Sequence, residues 1–460
     1  MFDRFAESMP VEERRSLQTE RLRSQVRRLK GVNDFYARQL SDVDEDVSID
    51  DLGAIPTISK PDLWDQYPLK AIAVPRSELR RIHATSGTSG RPTIVAYTEN
   101  DLDVFRQVNA RVLAGAGAGP GTMVHNGYGY GLFTGGLGLH GGAEALGANV
   151  VPISGGQTTR QVQLILDLEP EILVCTPSYA ATLADALAAL GVAPQDNSLK
   201  AGIFGAEPWS ESMRTQLSAR LGLTALDIYG LCEVVGPGVA FETAESDHKL
   251  YVNEDHFYVE CLDPETGREV ADGEVGELVF TTLTKEALPV LRYRTGDLAA
   301  LYREPDGTGR TLVRMSRILG RRDDMIVIRG VNVYPSEIEA VLLGDEGIGT
   351  SYSIVIDQRA EMPSVLVLAE PAVDDLGEAP DEGLGREATD GQRRRPGDGL
   401  GREPADALGK AVAAALKDRL GVSCSVRVVG GGQIPRIEIG KAVRVHTWTT
   451  EHNPFPALLR

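Results

Sequence analysis

The stretch between Arg81 and Tyr97 holds the densest set of groups able to grip an anion. Thr85, Ser86, Gly87, Thr88, Ser89, Gly90, Arg91 and Pro92 follow one another between two apolar runs. Glycines let backbone N–H groups point at phosphate oxygens, hydroxyls add donors, and Arg91 adds a cation. A polar hairpin turn has the same composition, so the segment is an anion cradle only if other groups converge on it. It is not a P-loop, which needs a Gly-Lys-Ser/Thr ending and a following helix. Gly440-Lys441 fails the same test, with Pro435 in place of the first glycine and Ala442 in place of the hydroxyl. The G-x-G-x-x-G match at 136–141 falls in a glycine-rich segment and carries little weight.

Asp227-Ile228-Tyr229-Gly230-Leu231-Cys232-Glu233 ends the last of a series of apolar runs, where open α/β sheets bind their ligands. A tyrosine face there can stack on a nucleobase, and a glutamate can hold the magnesium of a nucleoside triphosphate. A strand end followed by a turn would read the same way. Gly205-Ala206-Glu207-Pro208 follows the preceding run and should face the same crevice, so small residues beside a carboxylate favour a purine pocket. Asp297 comes after the tight turn Tyr293-Arg294-Thr295-Gly296 and suits two ribose hydroxyls, although a capping aspartate would look alike. Lys441 lies in a glycine-rich, apolar-poor loop; a lone lysine there is ordinarily a solvated charge, and its importance depends on the other motifs.

These residues need a scaffold. Apolar runs at 122–125, 149–153, 172–175, 201–204 and 224–229 alternate with helix-period segments such as 158–168 and 179–190. That alternation predicts parallel strands covered by helices on both faces. After residue 250 the text turns strand-rich, at 256–262, 276–282 and 297–302, predicting a β subdomain. An amphipathic helical segment over 10–40 should cap the body. The fold class is therefore α/β: a large domain over 1–322 and a small mobile α+β domain over 323–460, joined at Arg321-Arg322-Asp323-Asp324. The small domain should contain helices at 335–343 and 405–420 and strands at 351–356, 364–369 and 424–429. Residues 370–404 have almost no bulky apolar side chains and read as a disordered insertion.

Composition limits the partners. The 460 residues carry 47 Lys plus Arg against 66 Asp plus Glu, a net charge of −19, which argues against nucleic acid and anionic membranes. Four scattered cysteines make neither a disulfide framework nor a zinc knuckle. With no 18-residue apolar stretch, a cytoplasmic protein, monomer or homodimer, is expected.

Taken together, the blocks at 85–92, 128–136, 205–209, 229–238, 276–280 with 292–297, 320–324 with 329–335, and 440–444 resemble the adenylate-forming superfamily and, within it, the phenylacetate-CoA ligase family. The resemblance spans nearly the whole chain. It implies a two-step reaction in which a carboxylate attacks the ATP α-phosphorus to give acyl-AMP and pyrophosphate, and the thiol of coenzyme A then displaces AMP. An adenylating enzyme that hands the aryl group to a carrier protein or another non-CoA acceptor is the alternative. Carried over by position, the resemblance assigns nucleotide contacts to Ser86, Gly87, Thr88, Ser89, Gly90, Gly205, Ala206, Glu207, Asp227, Ile228, Tyr229, Gly230, Asp297 and Arg321. It assigns Mg2+ to Glu233, the bridging cation to Lys441, and the hinge to Asp323, with Lys441, Glu233 and Arg321 as the catalytic set. Tyr128, Phe133, Ile228, Gly236 and Pro237 would line a flat slot for an aromatic acid, where His125, His140 and Lys60 could reach a ring substituent. Two departures stand out. Arg91 replaces the more common lysine, and Phe241 and Thr243 stand where some relatives have cysteines, so no zinc is expected.

Overall fold

The structure, a computed structural model, describes residues 1–85, 92–328, 331–359, 364–372, 402–421, 423–436 and 442–459. Five parallel strands form the centre in the order Asn149–Val151, Met123–Asn126, Ile172–Cys175, Ala201–Gly205 and Thr224–Leu231. The strand Ile172–Cys175 shows why both faces must be covered. Ile172 and Val174 join one apolar cluster with Leu113 and Leu139, whereas Leu173 and Cys175 join another with Val162, Leu183 and Leu217. Successive side chains point to opposite faces, so an unbroken apolar run buries both. Helices Glu99–Gly115 and Gly135–Leu146 supply the first cluster; Thr158–Leu168, Pro177–Ala189 and Glu211–Leu221 supply the second.

Strand order reverses at Met123–Asn126, which has its sequence successor on one side and Ile172–Cys175 on the other. A crevice therefore opens beyond the carboxyl ends of these strands. The expected β-rich region is present and completes the large domain by extending the same sheet. Antiparallel Gly236–Phe241 pairs with Thr224–Leu231, and Leu250–Val252, Arg314–Met315, Tyr293–Tyr302, Val275–Thr282 and Phe257–Leu262 continue the same sheet, which has twelve strands in all. Gly320–Arg321 pairs with Tyr293–Tyr302 in a register that sets Asp297 opposite Arg321. The amphipathic entry segment forms two helices, Val11–Leu29 and Asp34–Gln39, which bury Leu22, Val26, Leu29 and Phe35 against that β region.

Beyond the hairpin Ile326–Ile328 and Val331–Val333 lies a four-stranded sheet, in the order Ser425–Val428, Ser364–Pro371, Ile348–Asp357, Val445–Trp448. Helices Pro335–Leu342 and Arg402–Leu420 pack on it. The expected insertion is shorter than 370–404. Glu370 and Pro371 belong to a strand, where the Glu370 carboxylate accepts bonds from Ile434 N and Arg436, and 402–404 begin a helix. The remainder, 373–401, lies outside the described residues.

One seam sets the wall of the crevice. Gly138 and Gly142 of helix Gly135–Leu146 face helix Glu99–Gly115, and a Cβ at Gly142 would stand 2.5 Å from Asn109 Cβ and 2.6 Å from its backbone carbon. That neighbour cannot rotate away. Gly142→Ala is expected to destabilise the protein by about 1–3 kcal/mol, seen as a lower urea midpoint at unchanged m value. Gly141→Ala meets only the flexible Arg106 side chain, at 3.1 Å, and should shift the midpoint far less.

Candidate active site

At the carboxyl end of Ala201–Gly205 the backbone is crowded. A Cβ at Gly205 would lie 2.3 Å from the Ile228 carbonyl oxygen, so only glycine lets the two strands stay paired there. Ala206 follows at φ 71°, a left-handed conformation that costs an alanine roughly 1–2 kcal/mol. Such strain gathers at functional turns, and here it sets the direction of Glu207. The Glu207 carboxylate accepts Ser178 N at 2.8 Å and Ala442 N at 2.7 Å.

On the next strand, Tyr229 is buried, its ring stacked on Phe280 at 6.0 Å between centroids. Its hydroxyl donates to Asp297 Oδ2 at 2.7 Å, and Arg321 Nη1 donates to Asp297 Oδ1 at 2.6 Å. Arg321 Nε in turn meets Asp323 Oδ1 at 3.0 Å. Tyr229, Asp297, Arg321 and the expected hinge Asp323 thus form one hydrogen-bonded chain. Burial opposes the Arg321 charge, but the Asp297 and Asp323 carboxylates outweigh it and hold the guanidinium pKa above its usual value. Asp227 is buried with Glu242, whose Oε2 accepts Asp227 N at 2.7 Å and Arg214 Nη1 at 2.8 Å.

Glu233 occupies the turn between Thr224–Leu231 and Gly236–Phe241, following Gly230, and is buried there, hydrogen-bonded to the Tyr293 phenol. The carbonyls of this turn are held from behind. Lys285 Nζ donates to Glu233 O at 3.1 Å and Val234 O at 2.8 Å, while the Tyr97 hydroxyl donates to Val235 O at 2.9 Å. The Lys285 ammonium also sits 5.1 Å from the centre of the Tyr97 ring. Burial pulls its pKa down to about 8, against the attraction of Asp101, Cys232 and Glu233. Sequence reasoning missed both residues. The available signal was weak: Lys285 is one of only nine lysines among 47 basic residues.

Tyr128 and Phe133 both lie against Gly135, and Gly236 lies against Phe105 and Thr134. Pro237 O accepts Asn109 Nδ2 at 3.0 Å, and Pro237 also approaches Gly138. With Ile228 at the Gly205 turn, these residues form an apolar wall beside the tyrosine and glutamate. His125 is tied to Gln161 at 3.0 Å and His140 to Tyr130 at 3.1 Å. Ser86, Gly87, Thr88, Ser89, Gly90 and Lys441 lie outside the described residues. Among the described residues, no group of three or more His, Cys, Asp or Glu side chains is placed to hold a metal. A lone carboxylate such as Glu233 does fit Mg2+, which keeps several waters and takes one or two carboxylates plus substrate phosphates.

Residues 19–283 match the AMP-binding enzyme family, and 330–391 match the AMP-binding enzyme C-terminal domain. The chain belongs to the AMP-binding enzyme family. It is 48% identical over 452 residues to the phenylacetate-coenzyme A ligase of Thermus thermophilus, covering 97% of this chain and 99% of the relative. It is 44% identical to that of Escherichia coli, covering 95% and 96%. A solved 2-hydroxyisobutyryl-CoA ligase is 28% identical. In its postadenylation state with 2-HIB-AMP the TM-score is 0.86, covering 96% of this chain and 91% of that one. In its thioesterification state with 2-HIB-AMP and CoA the TM-score is 0.68, covering 97% and 92%. This AMP-binding enzyme is an AMP-forming acid–thiol ligase that uses ATP to join an aryl acid to CoA through an acyl-adenylate.

The Asp227 carboxyl gives a pH test of the enzyme. Burial, and then the Glu242 charge, push its pKa up to about 7 from 3.8. A carboxyl raised on folding contributes stability that is fully present below its unfolded pKa and lost as pH rises through its folded one. Between about pH 4 and pH 7 the wild type should therefore lose stability relative to Asp227→Asn, with no further divergence above pH 8. Urea unfolding across that range checks it; a constant difference between the two proteins would show that Asp227 does not titrate there.

Proposed function

We propose that the acid is phenylacetate and that the protein is a cytoplasmic phenylacetate-CoA ligase. The observation that carries this reading is the hydrogen-bonded chain Tyr229–Asp297–Arg321–Asp323 beside an apolar wall, in a chain 44% and 48% identical to two phenylacetate-coenzyme A ligases. In the first step a carboxylate oxygen of the acid attacks the α-phosphorus of ATP and pyrophosphate leaves. In the second, the CoA sulfur attacks the acyl carbon, AMP leaves, and the thiol proton is lost to solvent.

The obstacle in step one is charge, because an anionic carboxylate must approach a polyanion, and preorganised donors and cations are what lower such a barrier. Ser86, Gly87, Thr88, Ser89 and Gly90 grip the phosphates, and Lys441 spans the acid carboxylate and the α-phosphate. Gly205 and Ala206, with Asp227, Ile228, Tyr229 and Gly230, form the strand ends on which the purine rests, while the adjoining Glu207 carboxylate is turned to Ser178 N and Ala442 N. Asp297 accepts the ribose hydroxyls while Arg321 holds it in place. Glu233 would hold Mg2+, which supplies positive charge at the phosphate oxygens when bound. Tyr128, Phe133, Ile228, Gly236 and Pro237 enclose the ring. Asp323 serves as the hinge about which residues 323–460 swing between the two steps, so a single cleft serves both.

Purified protein incubated with ATP, Mg2+, CoA and a panel of acids tests this. Phenylacetate should be turned over at least about tenfold faster than an aliphatic acid of similar length, as a ring-shaped apolar slot implies. Thioester should form without any carrier protein, and failure with every arylacetate would sink the substrate assignment. Lys441→Ala should lose at least about 10²-fold in pyrophosphate exchange; full exchange would remove the lysine from the mechanism.

A further inference from the structure

Two carboxylates join the large and small parts of the chain in a reciprocal way. Glu207 of the large part accepts the backbone N–H of Ala442 at 2.7 Å, and Ala442 directly follows Lys441. Glu339, on helix Pro335–Leu342 of the small part, accepts the backbone N–H of Ser210 at 2.7 Å. Each carboxylate is also fastened within its own part. The second Glu207 oxygen takes Ser178 N at 2.8 Å, a free N–H in the first turn of helix Pro177–Ala189. The second Glu339 oxygen accepts the Tyr352 hydroxyl.

Between the two stands Arg444. Its guanidinium carbon lies 4.4 Å from the centre of the Tyr352 ring, and Nη1 donates to Tyr352 O at 3.2 Å. Burial opposes this charge, while Tyr352, Glu207 and Glu339 together raise its pKa above the ordinary value. This half-buried guanidinium keeps its charge in the combined field of Tyr352 and the two carboxylates. Around them the interface mixes an apolar cluster, in which Trp209, Met213 and Leu217 of the large part meet Ile338, Leu342 and Tyr352 of the small part, with weaker polar contacts such as Gln216 Nε2 to Leu343 O at 3.4 Å and Arg436 to Asp185 at 3.8 Å.

We infer that Glu207 and Glu339 are positioning residues that latch the two parts in the arrangement used for forming the adenylate, each carboxylate holding a backbone N–H of the opposite part. The inference rests on the two-step reaction and deepens it. The arrangement in which both bonds exist matches the postadenylation state of 2-hydroxyisobutyryl-CoA ligase at a TM-score of 0.86 and its thioesterification state at 0.68. Both bonds converge on residues 207–210, continuous with the Gly205–Ala206 turn proposed to support the purine. One short loop therefore meets the nucleotide at one end and the small part at the other. Swinging the small part away from this loop parts Ala442 N from Glu207 and Ser210 N from Glu339. Glu207 then acts on Lys441 through the backbone of the next residue rather than on the nucleotide.

The test separates the two half-reactions in Glu207→Gln and Glu339→Gln. Pyrophosphate exchange reads adenylation; thioester formation from supplied phenylacetyl-adenylate and CoA reads the second step; melting temperature reads folding. Each variant should lose on the order of tenfold in exchange, the scale set by one charge-assisted hydrogen bond biasing a two-state closure. Thioester formation and the KM for the adenylate should stay within about twofold in both. Equal losses in both steps, or full exchange in Glu339→Gln, overturns the latch; a raised adenylate KM in Glu207→Gln alone makes that carboxylate a nucleotide contact instead. If the wild type exchanges pyrophosphate with no acid, the substrate reading is what has failed. Small-angle scattering then decides the latch, since the double variant should be more extended than the wild type and an unchanged profile rejects it.

Discussion

The carboxylate of Asp297 is the point on which the cleft depends. Three stretches distant in sequence reach it: Tyr229 from the parallel strands, Asp297 itself from the antiparallel region, and Arg321 from the short strand leading to the small part. An anion-binding site cannot tolerate a loose carboxylate, which would repel phosphate wherever it moved. With one oxygen held by a buried phenol and the other by a guanidinium, this carboxylate has one position and a balanced charge. That is preorganisation in the sense that matters for catalysis, because the donors and charges are set before the substrates arrive. Continuity of the twelve-stranded sheet makes it possible, since the register that pairs Asp297 with Arg321 belongs to the sheet that carries Tyr229.

The same sheet explains why so much of the site is backbone. At the Gly205 turn the neighbouring carbonyl comes so close that no side chain fits, and Ala206 takes up a left-handed conformation. Both features cost stability, and the fold tolerates them because the strands around them are buried on both faces. What results is a turn with no side chain at Gly205, next to side chains that are tightly held. A purine proposed to rest at this turn would meet backbone there, where a bulky residue would obstruct it.

The α/β class, the alternation of strands and helices, and the strand ends bearing Gly205 and Tyr229 were legible in the sequence, whereas the tight turn read at 293–296 is the first half of the strand Tyr293–Tyr302, which carries Asp297 in its middle and shifts register beside Gly296 at φ 78°. Apolar runs at period two or wholly apolar, broken by helix-period segments, leave few alternatives. The strand Val445–Trp448 was not legible: its side chains are mostly half-buried, and it is a strand because it pairs in parallel with Ile348–Asp357, almost a hundred residues earlier. The joining of the β-rich region to the parallel sheet was hidden for the same reason, as it passes through the short strands Leu250–Val252 and Arg314–Met315. Glu339 reads as one more surface glutamate on an amphipathic helix; only the packed arrangement shows its carboxylate buried against Ser210 N. Local pattern reports which face of an element is apolar, and contacts between distant parts of the chain decide the rest.

Lys285 shows how such a distant contact shapes the site. The turn carrying Glu233 exposes consecutive carbonyls on its inner side, and buried carbonyls need donors. Thr98 and Asp101 cap helix Glu99–Gly115, and the Asp101 carboxylate also accepts the N–H groups of Glu286 and Ala287 at 2.6 and 2.9 Å. That fixes the loop bearing Lys285 to the same helix that sets Phe105 against Gly236 and Asn109 against Pro237. A compact ammonium at the end of a buried stem can serve two adjacent carbonyls and still lie against the Tyr97 ring, which a broad guanidinium plane fits less well. The turn holding Glu233 and the segment holding Gly236 and Pro237 thereby share one support, so the distance between the carboxylate proposed for Mg2+ and the residues proposed to enclose the ring is set by a helix cap and a single lysine.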